Sequence, residues 1–159
     1  MRVVSNTSPL LYLHTIGQLT LLEQLYGRII VPQAVVTELA VGAQQGYMVP
    51  RPSDYGWIQI DSVALPAMLT LIANLGAGEA EALALAIIEP TDLLILDDGL
   101  ARRVAAAQRL RYTGTLGVLM QAKRVGHIPF VMPLVMQLHQ AGFRLTASLI
   151  ESIRRNAGE

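Results

Sequence analysis

Two short apolar segments, separated by helical patterns, constrain the fold of this chain more than any other feature. The segment RIIV lies between Gly27 and Pro32, and the segment DLLIL runs directly into Asp97 and Asp98. Apolar runs of about four to eight residues between such breakers are typical of strands that are buried on both faces. Strands of this kind occur in parallel sheets that carry helices on each side. The sequence therefore predicts an α/β protein.

Weaker strand patterns complete a predicted parallel sheet of four to five strands. Val3 and Val4 indicate a short strand near the start, the segment WIQI alternates as an edge strand does, and Tyr112 and Thr113 indicate another short strand. No repeat, low-complexity tract or linker divides the chain. Residues 1–159 are therefore expected to form a single domain.

Capping residues and breakers predict where the helices begin and end. Ser8 followed by Pro9 is typical of a helix start, with the serine as N-cap and the proline at the first helical position. A helix that begins after Pro32 is expected to stop at Gly42. Further helices are predicted over residues 66–75, Glu79 to Ile88, LARRVAAAQRL, TLGVLMQAKRVG, and from about Pro133 and about Thr146.

Composition excludes several classes of protein. With 52% apolar and 15% charged residues, the chain is not disordered as a whole. The absence of cysteine excludes a disulfide scaffold, a cysteine zinc site and a thiol nucleophile. The apolar runs are too short for a spanning helix, and the N-terminus lacks the pattern of a cleaved signal, so we expect a soluble cytoplasmic protein.

The net charge of zero hides a strong asymmetry along the chain. Residues 1–100 contain three basic and ten acidic residues, whereas residues 101–159 contain nine basic and two acidic residues. One interpretation is a pair of complementary surfaces that pack within a monomer or a dimer. The other is an acidic cleft that holds metal, beside a basic flank that holds a polyanion. Composition leaves both open.

Polar and acidic residues follow the predicted strands, where α/β sheets bind their ligands. Each also has a structural explanation, as a helix cap, a partner of a helix dipole or a solvated side chain. Their convergence on one edge of the sheet favours a functional site. The candidates are Asn6, Thr7 and Ser8 after the first strand, Glu38 in the helix after the second, Glu79 with Glu81, and Asp97 with Asp98.

Five segments in order resemble the PIN domain family, and in particular the small stand-alone PIN proteins related to VapC toxins. The resemblance extends from Met1 to about Gly158. The segments are VVSNTSPLLYL, IIVPQAVVTEL, GAGEAEALALA, DLLILDD and GTLGVLMQAKRVGHIP.

This resemblance implies a three-layer α/β/α sandwich, often dimeric, and a metal-dependent endoribonuclease that uses Mg²⁺ or Mn²⁺. PIN nucleases form their pocket from three or four acids. The matching positions here are Asn6, Glu38, Glu79 and Asp98 with Asp97 beside it; Ser8 matches the hydroxyl residue often found after the first acid, and Glu81 is the alternative to Glu79.

Asn6 departs from the family pattern, which has an aspartate at this position. An amide oxygen can ligate Mg²⁺, but it brings no charge and cannot act as a base, so metal affinity is expected to fall. Two readings follow. The chain is either a nuclease weakened by Asn6, or a catalytically silent PIN-like module that binds RNA or protein.

Roles in hydrolysis follow from this resemblance. Glu38, Glu79 and Asp98 are expected to hold the metal, with Asn6 and Ser8 ligating it or hydrogen-bonding the phosphate, while Asp97 or Glu79 orients the attacking water. Arg102 and Arg103 are expected to grip RNA phosphates, although a solvated helix face explains them equally. All residues with an expected role lie between positions 6 and 103 of the sequence.

The family also implies partners. In the toxin reading, a protein antitoxin would lay an apolar helix against the C-terminal helices, which carry Met132 and Met136, although core packing explains these side chains as well. A homodimer is expected. A phospho-receiver is disfavoured because it needs an acidic pair after the first strand, where this chain has Asn6, Thr7 and Ser8.

Overall fold

Five parallel strands form the central sheet of the computed structural model, which describes residues 1–159. Their order across the sheet is β3-β2-β1-β4-β5, and every neighbouring pair is parallel. The strands are β1 (Val3–Ser5), β2 (Ile29–Pro32), β3 (Ile58–Asp61), β4 (Leu93–Ile95) and β5 (Tyr112–Thr113). The α/β class predicted from the apolar segments is confirmed.

Helices connect the strands, as parallel pairing requires. None of them is both long and apolar enough to cross a membrane. They are α1 (Thr7–Thr15), α2 (Leu21–Tyr26), α3 (Gln33–Gln44), α4 (Ala67–Thr70), α5 (Ala77–Ile88), α6 (Gly99–Ala107), α7 (Thr115–Arg124), α8 (Met132–Gln140) and α9 (Ala147–Ala157).

The sheet divides the interior into two apolar cores because successive strand residues point to opposite faces. On one face, Val3, Ile29 and Ile95 pack with residues of α1, α2, α3, α7, α8 and α9. On the other face, Val4 and Leu94 pack with residues of α4, α5 and α6. Both faces are covered, which explains why the inner strands β2 and β4 are apolar without alternation, whereas the edge strand β3 alternates.

The strand order reverses at β1, and this places the main crevice of the fold. From β1 the chain moves outward through β2 to β3, then returns to add β4 and β5 on the other side of β1. Connections therefore leave β1 and β4 in opposite directions, which opens a crevice at their carboxyl ends. Asn6 and Asp97 lie there, just after the paired residues Ser5 and Ile95.

Several helix boundaries differ from the sequence predictions. Helix α5 begins at Ala77, two residues before Glu79, and α6 ends at Ala107 and not at Leu110, because Arg109 has a positive φ of 58°. Helix α1 begins at Thr7 with Asn6 as N-cap, because the Ser8 hydroxyl donates to Asp97 and does not cap the helix. Helix α3 continues through Gly42 to Gln44. The helix predicted over 66–75 is reduced to Ala67–Thr70, and the chain then reaches a positive φ of 66° at Asn74, which a helix does not accommodate.

Candidate active site

Asn6 lies at the carboxyl end of β1 with its amide group buried. The side chain is almost fully enclosed, with 1% of its surface exposed, and its backbone N–H donates to the carbonyl of Ile95 at 3.1 Å. The side-chain Oδ1 has no hydrogen-bond partner. Buried polar atoms are nearly always paired, so this unpaired oxygen calls for an explanation.

Glu38 reaches Asn6 from helix α3. Its Oε1 accepts a hydrogen bond from the backbone N–H of Gly78 at 2.8 Å, and its Oε2 accepts one from the hydroxyl of Thr7. Gly78 is in the first turn of α5, where unpaired N–H groups and the helix dipole favour a negative charge. The carboxylate is therefore fixed between α1 and α5.

Gly78 shows how closely these oxygens converge. A Cβ atom built on Gly78 would lie 2.6 Å from Oε2 of Glu38, 2.8 Å from Oδ1 of Asn6 and 3.0 Å from Oγ1 of Thr7. A carboxylate, an amide and a hydroxyl oxygen thus surround one point that only glycine leaves free. Oxygen donors of this kind suit a hard divalent cation.

Asp97 follows β4 and is held by three donors. Its Oδ2 accepts from Oγ of Ser8 at 2.9 Å and from Oγ1 of Thr115 at 2.6 Å, while its Oδ1 accepts from the backbone N–H of Thr115 at 2.7 Å. Thr115 is fully buried at the start of α7. The carboxylate therefore has one orientation, fixed from both neighbouring strand ends.

Asp98 caps helix α6. Its Oδ2 accepts a hydrogen bond from the backbone N–H of Ala101 at 2.9 Å, and the residue is otherwise exposed. This is the structural role that the sequence left open for an acid before a helix. Of the adjacent pair, Asp97 is directed into the site and Asp98 toward the helix.

Glu79 and Glu81 point in different directions from α5. Glu81 accepts a hydrogen bond from the backbone N–H of Ala34 at 3.2 Å, in the first turn of α3. Glu79 folds back over Gly76, the N-cap of α5, and lines the main cleft. The structure thus places Glu79 on the cleft and Glu81 against α3.

A cleft of about 870 Å³ opens beside these carboxylates. Ser8, Glu79, Asp97, Asp98 and Arg102 line it, so five of the predicted site residues share one cavity. Asn6 and Glu38 do not line it. They are linked to it through the chain, because the hydroxyl of Thr7 donates to Glu38 and the next residue, Ser8, lines the cleft.

Arg102 and Arg103 are separated by the helix. The Nε of Arg102 donates to the carbonyl of Leu96 at 2.8 Å, which keeps its guanidinium at the cleft. Arg103 is exposed on another side of α6 and does not line the cleft. Nowhere do three or more His, Cys, Asp or Glu side chains form a ready metal cluster.

Thr115, Gly78 and Gly114 are the parts of the site that the sequence analysis did not identify, and Thr7 was a candidate without an assigned role. Gly114 is one of them, because a Cβ there would meet Arg102 and would lie 2.7 Å from Oδ1 of Asp97. The rule that carboxyl ends of parallel strands carry the site had been applied to β1, β2 and β4. Applied to β5, it would have identified Gly114 and Thr115, which follow that strand directly.

Comparison with known proteins agrees with this fold. A family model described as PIN domain matches residues 2–159. Among solved structures, the chain is similar to a PilT N-terminus domain protein from the hyperthermophilic archaeon Sulfolobus solfataricus, with 16% identity and a TM-score of 0.54. The match covers 77% of this chain and 93% of that one, and at this identity it shows a shared fold. No curated protein matches the chain.

The chain belongs to the PIN domain family, because the family model spans nearly its whole length. PIN domains are generally nucleases, and they generally use divalent metal ions. The α/β architecture with a single parallel sheet is that of the structural neighbour.

Proposed function

We propose that this PIN domain is a divalent-metal-dependent endoribonuclease that hydrolyses RNA phosphodiester bonds. The observation that carries the proposal is the unpaired Oδ1 of Asn6, which faces the same point beside Gly78 as the carboxylate of Glu38. A buried oxygen without a donor is costly unless something satisfies it, and a cation does so. The residues present therefore fit a metal.

The residues that would hold Mg²⁺ or Mn²⁺ are Asn6 and Glu38, with Asp97 at the neighbouring strand end and with Glu79 and Asp98 adding negative charge from the cleft. When bound, such an ion neutralises phosphate charge and activates water. Asp97 orients the attacking water, because its carboxylate is fixed by Ser8 and Thr115. Arg102, which lines the same cleft, binds the phosphate.

In this proposal, Ser8 does not bind the phosphate. Its hydroxyl hydrogen is committed to Asp97, so it orients the carboxylate. Arg103 is left out of the scheme because it lies away from the cleft. Asn6 contributes an oxygen without charge, so the proposed nuclease binds its metal more weakly than an aspartate at this position would allow.

The test combines metal binding with cleavage. Purified wild type, Asn6→Asp and Asp97→Asn are titrated with Mn²⁺ by calorimetry and incubated with a fluorescent single-stranded RNA in Mn²⁺ or EDTA. We expect Mn²⁺-dependent cleavage by wild type, a loss of at least about 100-fold in Asp97→Asn, and at least about tenfold tighter Mn²⁺ binding in Asn6→Asp. Cleavage that persists in EDTA would overturn the metal proposal.

Asn6 also favours a second candidate, a catalytically silent module that binds RNA or protein. This candidate predicts no cleavage by wild type and cleavage restored by Asn6→Asp. Cleavage by the wild-type protein that Asp97→Asn abolishes would reject it.

The biological role within this proposal is that of a VapC-like toxin in the cytoplasm, neutralised by a protein antitoxin. Met132 is buried in the core, while Met136 on α8 and Leu149 on α9 are about two-fifths exposed, at 41% and 39%, and would contact such a partner. Induced expression of wild type is expected to arrest growth, and Asp97→Asn is not. Growth that continues with active nuclease in the cell would reject the toxin role. Light scattering of the purified protein tests the proposed homodimer.

A further inference from the structure

The main cleft combines two kinds of lining. Glu79, Asp97 and Asp98 supply acidic groups, and the rest of the wall is largely aromatic, apolar and basic. The proposed hydrolysis uses only the acidic groups, Ser8 and Arg102. The unassigned part of the lining includes Tyr12, Tyr112, Met120, Phe143 and Arg144.

Tyr112 and Arg102 form a stacked pair beside Asp97. The Arg102 guanidinium lies over the Tyr112 ring, 5.5 Å from its centroid, and is anchored to the carbonyl of Leu96 at 2.8 Å. Leu96 immediately precedes Asp97, so the pair is fixed next to the carboxylate. Tyr112 nevertheless remains 41% exposed, which leaves aromatic surface for a ligand.

A second aromatic pair stands in the same cleft. The rings of Tyr12 and Phe143 meet edge to face, with centroids 4.9 Å apart and an interplanar angle of 83°. Arg144 follows Phe143 directly, is exposed and takes part in none of the three ion pairs of the chain. An unpaired cation thus lies beside a rigid aromatic wall.

We infer that this cleft binds an unpaired nucleotide, with its base stacked on Tyr112 and Arg102 and a neighbouring phosphate bound by Arg144. The inference rests on the proposed function and assigns residues of the cleft to base stacking and phosphate binding. Aromatic rings and arginine planes bind splayed bases, whereas bases in a duplex are paired and stacked on each other. The volume of about 870 Å³ accommodates a nucleotide.

Binding and cleavage of a short single-stranded RNA test the role of Tyr112. Anisotropy is measured in EDTA for wild type, Tyr112→Ala and Tyr112→Phe, with Tyr47→Ala as a control because Tyr47 is exposed outside the cleft. We expect about tenfold weaker binding for Tyr112→Ala and wild-type binding for the other two variants. In Mn²⁺, the same loss should appear mainly in KM.

RNAs with one abasic position at a time identify the stacked base. In wild type, one position is expected to show a binding penalty that disappears in Tyr112→Ala, since the stacking partner has been removed. Arg144→Ala is expected to reduce the slope of log affinity against log salt by about 0.7, with Arg155→Ala, an exposed arginine outside the cleft, unchanged.

Three outcomes overturn the inference. Wild-type binding by Tyr112→Ala, or an abasic penalty that persists in it, would reject stacking while Mn²⁺-dependent cleavage by wild type left the proposed function intact. Equal affinity and cleavage rate for duplex RNA would also reject stacking, because paired bases are not free to stack on Tyr112 and Arg102. Absence of both RNA binding and cleavage in wild type would reject the proposed function and this inference together.

Discussion

Thr115 holds both carboxylate oxygens of Asp97. Its backbone N–H donates to Oδ1 at 2.7 Å and its hydroxyl donates to Oδ2 at 2.6 Å. Thr115 begins α7 immediately after the sheet's last strand, whereas Asp97 follows β4. The Asp97 carboxylate therefore connects the ends of β4 and β5, and its orientation depends on the placement of α7.

Thr115→Val tests this relationship, because valine keeps the shape of threonine and removes only the hydroxyl. We expect the free energy of unfolding to fall by about 2 kcal/mol, as for a lost hydrogen bond to a charged group. Cleavage is expected to fall by about 10- to 100-fold, since a group that orients a site residue is removed. Urea denaturation and initial cleavage rates measure the two effects.

Thr37→Val is the matched control for Thr115→Val, since Thr37 is exposed on α3 and bonds only to the carbonyl of Gln33. Thr115→Ser should retain both properties of wild type. Equal unfolding energies and rates for Thr115→Val and Thr37→Val would contradict the assigned role.

Gly78→Ala is expected to separate Glu38 from Asn6. In an unconstrained helix, alanine is about 1 kcal/mol more favourable than glycine, but here its Cβ would lie 2.6 Å from Oε2 of Glu38 and 2.8 Å from Oδ1 of Asn6. We expect about tenfold weaker Mn²⁺ binding by calorimetry, and no gain in stability. Gly56→Ala is the control, because a Cβ at Gly56 meets no atom within 4 Å.

Substitutions of Asp98 are expected to affect mainly stability, and substitution of Asp97 mainly catalysis. Asp98→Ala should lower the free energy of unfolding by about 1 kcal/mol, because it removes the N-cap of α6, whereas Asp98→Asn keeps a good cap and should unfold as wild type. Asp98→Asn should lose less than about tenfold in cleavage rate, and Asp97→Asn at least about 100-fold. Equal losses in both asparagine variants would make Asp98 a full member of the catalytic group.

Glu159 gives stability a pH dependence. Its partial burial alone would raise the pKa of the carboxyl, but hydrogen bonds from Lys123 and from the backbone N–H groups of Val131 and Met132 outweigh this and lower the pKa. A native pKa below the unfolded value means that the contribution is complete above pH 4.5 and is lost as pH falls through the native pKa.

Glu159→Gln is therefore expected to reduce the free energy of unfolding by about 2 kcal/mol at pH 7, and the difference from wild type should shrink as the pH falls below 4.5. Denaturation at several pH values measures it. Glu151→Gln serves as control, because Glu151 is exposed and pairs with Arg154 only at 3.6 Å. A difference that does not shrink as the pH falls below 4.5 would refute the charge effect.

The sequence by itself determined the class of fold and the acidic side chains near the cleft. Apolar strands such as Ile29–Pro32 must be covered on both faces, and this requirement is evident from consecutive residues. Polar residues that directly follow a strand can be recognised in the same way, and this is why Asn6 and Asp97 were predicted from the sequence, together with Glu38 in the helix after β2. Local sequence patterns predicted the ends of helices less accurately, as the early end of α4 shows.

Only the tertiary structure decided which of these residues act together. Glu79 and Glu81 are two positions apart on one helix, and the packing of α5 against α3 directs Glu81 to Ala34 and leaves Glu79 on the cleft. The contact of Thr115 with Asp97 and the meeting of Tyr112 with Arg102 join residues 18 and 10 positions apart in the sequence. Such pairs depend on the strand order, which reverses at β1 and is not written in any local pattern.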